Sequence, residues 1–369
     1  MSGDAAAGRP DSPVSFCRSF GPDRPEQSEG ERENLHAASL DGAGSYADID
    51  SVASLPHGNP MPLHSTIRSS GDFLADRRYE YARAAFDEGD FEAAADLARQ
   101  VLELAPAFAP AHALLGRASA ELGAGAQAVE ALRQALTLEP EDALGVRVDL
   151  ARLGALAPGE AITDGYVRAL FDDYAPKFDR HLTRGLAYRG PELIADALRR
   201  ACSKQLRDFR FGPALDLGCG TGLMAQALDG LCSSIEGVDL SPRMLEKARK
   251  TRLYDALHEG ELVSFLKARK TGEADLVAAA DVFVYMAALD GAFREAHRVL
   301  RRDGLFAFTV QAHDGEGFIL GKDARYAHGE AYLRRLADAS GFTLVILERV
   351  STREDRGQPV PGFLAVLQR

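Results

Sequence analysis

Cysteine is scarce in this chain of 369 residues, and the four present, Cys17, Cys202, Cys219 and Cys232, are scattered. None forms a C-x-x-C pair or stands near a histidine at metal-ligand spacing, so neither a disulfide framework nor a metal site is indicated. Long apolar runs are absent as well. The longest, Leu276 to Leu289, has 14 residues and is broken by Asp281, short of the ~20 that a membrane helix needs. No basic region followed by an apolar stretch opens the sequence, so the expectation is a cytoplasmic protein without a secretory signal or a membrane partner. Positive charge is also in deficit. With 43 basic against 55 acidic side chains the formal net charge is −12, and a nucleic-acid backbone would be repelled.

What remains is an ordinary globular composition, 46% hydrophobic and 27% charged, with length for about two domains at roughly 150 residues each. Residues 1–70 stand apart: only ten are Leu, Ile, Val or Phe, while 26 are Gly, Pro or Ser. So little apolar surface cannot offset the entropy of ordering, and a disordered tail is expected there.

From Ala75 onward apolar residues fall three and four apart, the helical period. A 34-residue step maps Ala82 onto Gly116, Gly89 onto Gly123, Ala94 onto Ala128, Leu102 onto Leu136, Leu104 onto Leu138 and Pro106 onto Pro140. Small residues at 82/116 and 94/128 let antiparallel helices approach, the glycines allow the turns, and the prolines end the second helices. The pattern resembles the tetratricopeptide repeat, so residues 71–158 read as a small all-α domain. The resemblance implies either a groove for a protein partner or a surface for self-association. Two repeats leave an apolar face bare, and Ala143 to Gly154 is expected to cap the stack as a lone helix.

Beyond a joint at Pro158 and Gly159, residues 159–369 alternate short apolar runs with amphipathic helices, the pattern of a doubly wound α/β domain. Strands are expected at Ala214 to Leu217, Ser234 to Leu240, Leu276 to Ala280, Leu305 to Gln311, Thr343 to Val350 and Gly362 to Leu367, the last two as an antiparallel hairpin. The first strand delivers Asp216 and then Gly218, Gly220 and Gly222 into a helix. Such glycines admit a ligand close to backbone, and the helix start offers free N–H groups. Asp239 ends the next strand, where a carboxylate can accept both hydroxyls of a ribose. Dinucleotide enzymes use G-x-G-x-x-G, and bulky Leu223 at the last of those positions argues against a nicotinamide cofactor.

The string from Asp216 to Gly222, with Asp239 beyond it, resembles motifs I and II of class I S-adenosylmethionine-dependent methyltransferases. With Phe171 to Leu182, Leu186 to Arg189, Ala280 to Tyr285 and Arg325 to His328, the chain is similar to predicted bacterial methyltransferases that carry N-terminal tetratricopeptide repeats. The resemblance implies a Rossmann-like, seven-stranded domain behind the repeats. It also implies S-adenosyl-L-methionine as cofactor, held by Asp216, Gly218, Cys219, Gly220, Thr221, Gly222, Asp239, Leu240, Glu261 and Leu262, with Tyr174, Phe178 and above all Tyr188 as lid aromatics. Met286, Ala287, Ala288 and Gln311 depart from the family's pattern on the substrate side.

The implied reaction is methyl transfer to a small-molecule or protein acceptor; the alternative is a repeat-based binding protein with a vestigial methyltransferase fold. His328 is the expected general base, because an imidazole titrates near neutrality and Ala327 to Ala337 reads as a helix that would hold it in its first turn. Tyr285 and Asp281 are the reserve catalytic residues. The joint further predicts that the repeats are separable and that a chain beginning near Ala161 keeps its cofactor site.

Overall fold

In a computed structural model, which describes residues 69–178, 188–355 and 357–369, the helical period of the first domain becomes two helical hairpins and a closing helix. These are α1 (Phe73–Asp87), α2 (Phe91–Leu104), α3 (Ala109–Glu121), α4 (Gly125–Leu138) and α5 (Val146–Arg152). Asp72 and Asp90 cap the first two by accepting from the backbone N–H groups of Ala75 and Ala93. The turns fall at Gly89 and Gly123, both left-handed at φ +83° and +74°. At Gly116 a Cβ would stand 2.6 Å from Leu132 Cγ, which shows why the repeat keeps that position small. Leu144, Val146 and Leu150, in and just before α5, pack on Ala109, Ala113, Leu132 and Ala135, so the closing helix does cover the second repeat. The tail expected over residues 1–70 lies almost wholly outside the described residues.

The second half forms β1 (Phe211–Leu217), β2 (Cys232–Asp239), β3 (Ala256–Glu259), β4 (Ala274–Ala279), β5 (Leu300–His313), β6 (Phe318–Leu320), β7 (Tyr326–Gly329), β8 (Thr343–Val350), β9 (Glu354–Asp355), β10 (Gln358–Pro359) and β11 (Gly362–Gln368). The main sheet runs β3-β2-β1-β4-β5-β11-β8. β11 alone is antiparallel to both its neighbours, between β5 and β8. With β3 added to the six strands expected, this is the seven-stranded Rossmann-like sheet that the resemblance implies. Its strands read as near-continuous apolar runs because both faces are covered. Leu215, Leu217, Val277, Ala279, Phe306 and Phe308 face one layer, and Ala214, Leu276, Ala278, Leu305 and Ala307 the other. Among the described residues no helix is long and apolar enough to cross a membrane.

Two expectations change. The hairpin β6–β7 was not foreseen, and His328 lies on β7 rather than in a helix; the following helix begins at Glu330. β7 pairs in parallel with the end of β5, Ala312 opposite His328, and antiparallel with β6. Since β11 already flanks β5 up to Gln311, β7 takes the lane that β4 leaves after Ala279. Long-range pairing has overridden a local helical period. The joint differs as well. Pro158–Glu160 is a turn of 3-10 helix whose Pro158 carbonyl accepts from Tyr326 Oη at 2.7 Å. Arg152 Nη2 donates to the Lys322 carbonyl at 2.8 Å. Val148 of the closing helix α5 shares one apolar cluster with Ala161, Tyr166, Val167 and Ala324. Through α5 and this turn the helical domain is seated on the β6–β7 hairpin.

Candidate active site

β1 and β2 run parallel with Asp216 opposite Gly237, so the loop after β1 comes to rest beside the end of β2. Gly218, Gly220 and Gly222 all take positive φ, at +63°, +52° and +97°. This winding turns Gly220 N–H onto Asp239 Oδ2 at 2.8 Å, while Ser241 N–H donates to Oδ1 at 2.8 Å. Burial pushes the Asp239 carboxyl up to about 6 against these two donors, with the nearby Asp172 carboxylate adding to the rise. The predicted ribose acceptor is thus also the tie that fixes the glycine loop.

Gly218 has a second constraint. A Cβ there would meet Val282 Cγ2 at 2.5 Å, so the loop is pressed against the residue that follows Asp281. Gly218→Ala should lose about 2 to 4 kcal/mol of stability through left-handed strain and overpacking together, read as a lowered thermal midpoint.

The other predicted cofactor residues gather around this loop. Asp216 is 2% exposed and accepts from Tyr254 Oη at 2.7 Å. Cys219 is buried and its N–H donates to the Val238 carbonyl. The Thr221 hydroxyl oxygen is buried without a hydrogen-bond partner. Leu240 packs in the cluster of Tyr166, Phe171 and Tyr285, and Leu262 is buried at the start of the helix Leu262–Lys267. Glu261 caps that helix: its two carboxylate oxygens accept from Val263 and Ser264 N–H at 2.6 and 2.7 Å.

The segment before β1 closes over this edge. Helix α6 (Asp164–Tyr174) places Asp172 Oδ1 2.6 Å from the Ser241 hydroxyl, which donates to it. Arg168 donates to the Leu240 carbonyl. Tyr174 and Phe178 meet edge to face at 5.3 Å, and Phe171 packs on Tyr285 at 5.4 Å. Tyr188 is half-buried; burial raises its phenol pKa well above the ordinary value, and the Asp281 and Asp216 carboxylates add to the rise. The stretches 179–182 and 186–187, where the family resemblance continues, lie outside the described residues.

The three predicted catalytic residues are placed differently from one another. His328 is 0% exposed. Its Nε2–H donates to the Met286 and Ala287 carbonyls, both at 3.1 Å, and Nδ1 is buried without a partner. Burial lowers its pKa to about 4, which removes the near-neutral titration expected of a base. Its position instead staples the chain after Tyr285 to β7. His328→Ala should therefore cost about 1 to 3 kcal/mol of stability through the two orphaned carbonyls and leave cofactor affinity unchanged; thermal unfolding and calorimetry check both halves.

Asp281, at φ +56° just past β4, accepts from the hydroxyls of Thr309 and Thr352 at 2.7 and 2.8 Å and from Arg353 Nη1 at 3.3 Å. Arg353 Nη2 also donates to Gln311 Oε1 at 2.9 Å. This carboxylate anchors the loop after β8 across the ends of β4 and β5. Tyr285 stands beneath the Arg325 guanidinium, 6.0 Å from ring centre, with Arg325 Nε 3.4 Å from its hydroxyl. Of the three, Tyr285 packs directly on the aromatic residues of α6.

Thr309, Thr352, Arg353, Tyr254 and Asp172 were not foreseen. Their contacts join positions far apart in sequence, and no local spacing signals them.

Residues 215–308 match the family described as a methyltransferase domain, and residues 85–148 the family described as a tetratricopeptide repeat. The malonyl-[acyl-carrier protein] O-methyltransferase of Geobacter sulfurreducens is 40% identical over 100 residues, 26% of this chain and 37% of that protein. Its counterpart in Enterobacter lignolyticus is 30% identical over 148 residues, 40% of this chain and 54% of that protein. The chain spans about half or less of the length of these curated relatives. Among solved structures, the 1,6-didemethyltoxoflavin-N1-methyltransferase of Burkholderia thailandensis is similar at 19% identity and a TM-score of 0.42, over 58% of this chain and 90% of that one.

Proposed function

We propose that this chain, a tetratricopeptide-repeat protein with a class I S-adenosylmethionine-dependent methyltransferase domain, transfers a methyl group to an oxygen of a small-molecule or protein acceptor. The observation that carries the cofactor reading is the Asp239 carboxylate, tied to the glycine loop through Gly220 N–H at the carboxyl end of the sheet, where ligands of such sheets bind. Asp239 keeps unused lone pairs for a ribose diol. The unpartnered Thr221 hydroxyl and the open space around Gly220 fit a ligand lying along the loop. Oxygen as the accepting atom follows the names of the curated relatives.

When bound, S-adenosylmethionine supplies a methyl group on a sulfonium, whose leaving group is a neutral thioether. The chain's own task is alignment: Asp239 and Asp216 fix one end of the site, and α6 and the β6–β7 hairpin wall it. Orientation of this kind contributes on the order of 7 to 11 kcal/mol to a displacement. Tyr285, oriented by Arg325, is the residue we place nearest the acceptor. Because the closing helix α5 is packed on the same hairpin, the repeats it caps present a protein partner, or a second copy, beside the acceptor entrance.

Calorimetric titration tests the cofactor reading. S-adenosylmethionine and S-adenosylhomocysteine should each bind saturably at one site while nicotinamide dinucleotides do not; saturable binding of the dinucleotide alone would overturn it.

A further inference from the structure

A cofactor loop has to be supported from below as well as closed from above. The ring of Tyr254 does this from the segment just before β3. A Cβ on Gly222 would lie 3.2 Å from Tyr254 Cε2, and one on Gly237 would lie 2.9 Å from Cε1. Glycine at both positions opens a slot between the loop and β2, and the ring fills it. At the end of the slot the phenol donates to Asp216 Oδ2 at 2.7 Å. Among the described residues that is this carboxylate's one side-chain hydrogen bond, and no lysine or arginine pairs with it.

We propose that Tyr254 is a positioning residue of the cofactor site, propping the glycine loop and holding Asp216 as the acceptor that faces a cationic ligand. The inference rests on the S-adenosylmethionine reading, since that cofactor brings the positive charge the buried carboxylate lacks.

The titratable groups within electrostatic reach of Asp216 are the Tyr254 phenol, the Asp239 carboxylate, the Cys219 and Cys232 thiols and the Tyr188 phenol. None of these side chains is cationic. Burial pushes the Asp216 carboxyl up to about 7, and the phenol's hydrogen bond works in the opposite direction. A cation binds best beside the ionised form, so affinity is full at high pH and declines as pH falls through about 7. Removing the phenol's hydroxyl raises the carboxyl further, and the decline then begins at higher pH. Asp239, held near 6, adds a lower step that Tyr254→Phe leaves in place.

The test is calorimetric titration of the full chain with S-adenosylmethionine from pH 6 to 9, for wild type, Tyr254→Phe and Asp216→Asn. Wild-type affinity should fall by up to about tenfold per unit below pH 7. The Tyr254→Phe profile should be displaced upward, about three- to tenfold weaker at pH 7 and converging with wild type by pH 9. Asp216→Asn should lose the upper step. A Tyr254→Phe profile that superimposes on wild type, or is weaker by one constant factor throughout, would overturn the inference while leaving the cofactor reading intact. No binding by wild type at any pH would overturn that reading and this one with it.

Discussion

Asp239→Ala should weaken S-adenosylmethionine binding by about a hundredfold. Hydrogen bonds to a charged group contribute about 1.5 to 3 kcal/mol, a ten- to hundredfold change in affinity. The structure favours the upper end of that range, because the same substitution removes the acceptor of Gly220 and Ser241 N–H and unties the loop. Titration calorimetry on the variant, with circular dichroism to confirm its fold, decides the matter. An unchanged dissociation constant in a folded variant would remove Asp239 from the site.

Removing the repeats should do still more. A chain that begins at Ala161 loses Val148 from the cluster that covers Tyr166, Val167 and Ala324, and loses Gly145, on which the Tyr166 ring rests. Uncovering two large side chains forfeits about 3 to 6 kcal/mol, a large share of a stability that is typically about 5 to 15. The hairpin beside the site also loses Pro158 and Arg152 as partners. The shortened protein is expected to aggregate or to lose cofactor binding; solubility on gel filtration with wild-type affinity would show the repeats to be independent, as the joint at Pro158 and Gly159 first suggested.

The contrast between these two results follows what a sequence can display. Asp216 to Gly222 is one contiguous string, and its backbone winding is imposed by glycine itself, so the turn after β1 and the place of Asp239 at the end of β2 were legible from residue type and spacing. The repeats were legible for the same reason, since Gly116 and Ala128 recur at a fixed step from Ala82 and Ala94. β7 was not: four residues that run into the helical spacing of Ala327 to Ala337 carry no sign that β5 would outrun β4 and accept a new neighbour. His328 was misplaced with it, and a ring expected at a helix start is instead buried against the Met286 and Ala287 carbonyls. Arg353 and Thr352 reach Asp281 across 72 and 71 residues, and Tyr254 reaches Asp216 across 38. Such contacts depend on topology rather than on local pattern. Glu261 was expected among the residues that hold the cofactor, and its capping of the next helix shows a local reason for an acid there.

Methyl transfer is read most plainly by following the methyl group itself. The full chain is incubated with S-adenosylmethionine labelled in the methyl carbon and a bacterial extract, and mass spectrometry quantifies both S-adenosylhomocysteine and labelled acceptor. With the wild-type chain the two should accumulate together, in equal amounts, and with cofactor held near the wild-type dissociation constant both should fall about fiftyfold with Asp239→Ala. Saturable cofactor binding with no S-adenosylhomocysteine and no labelled product from any extract would contradict it and leave a binding protein that has kept the fold.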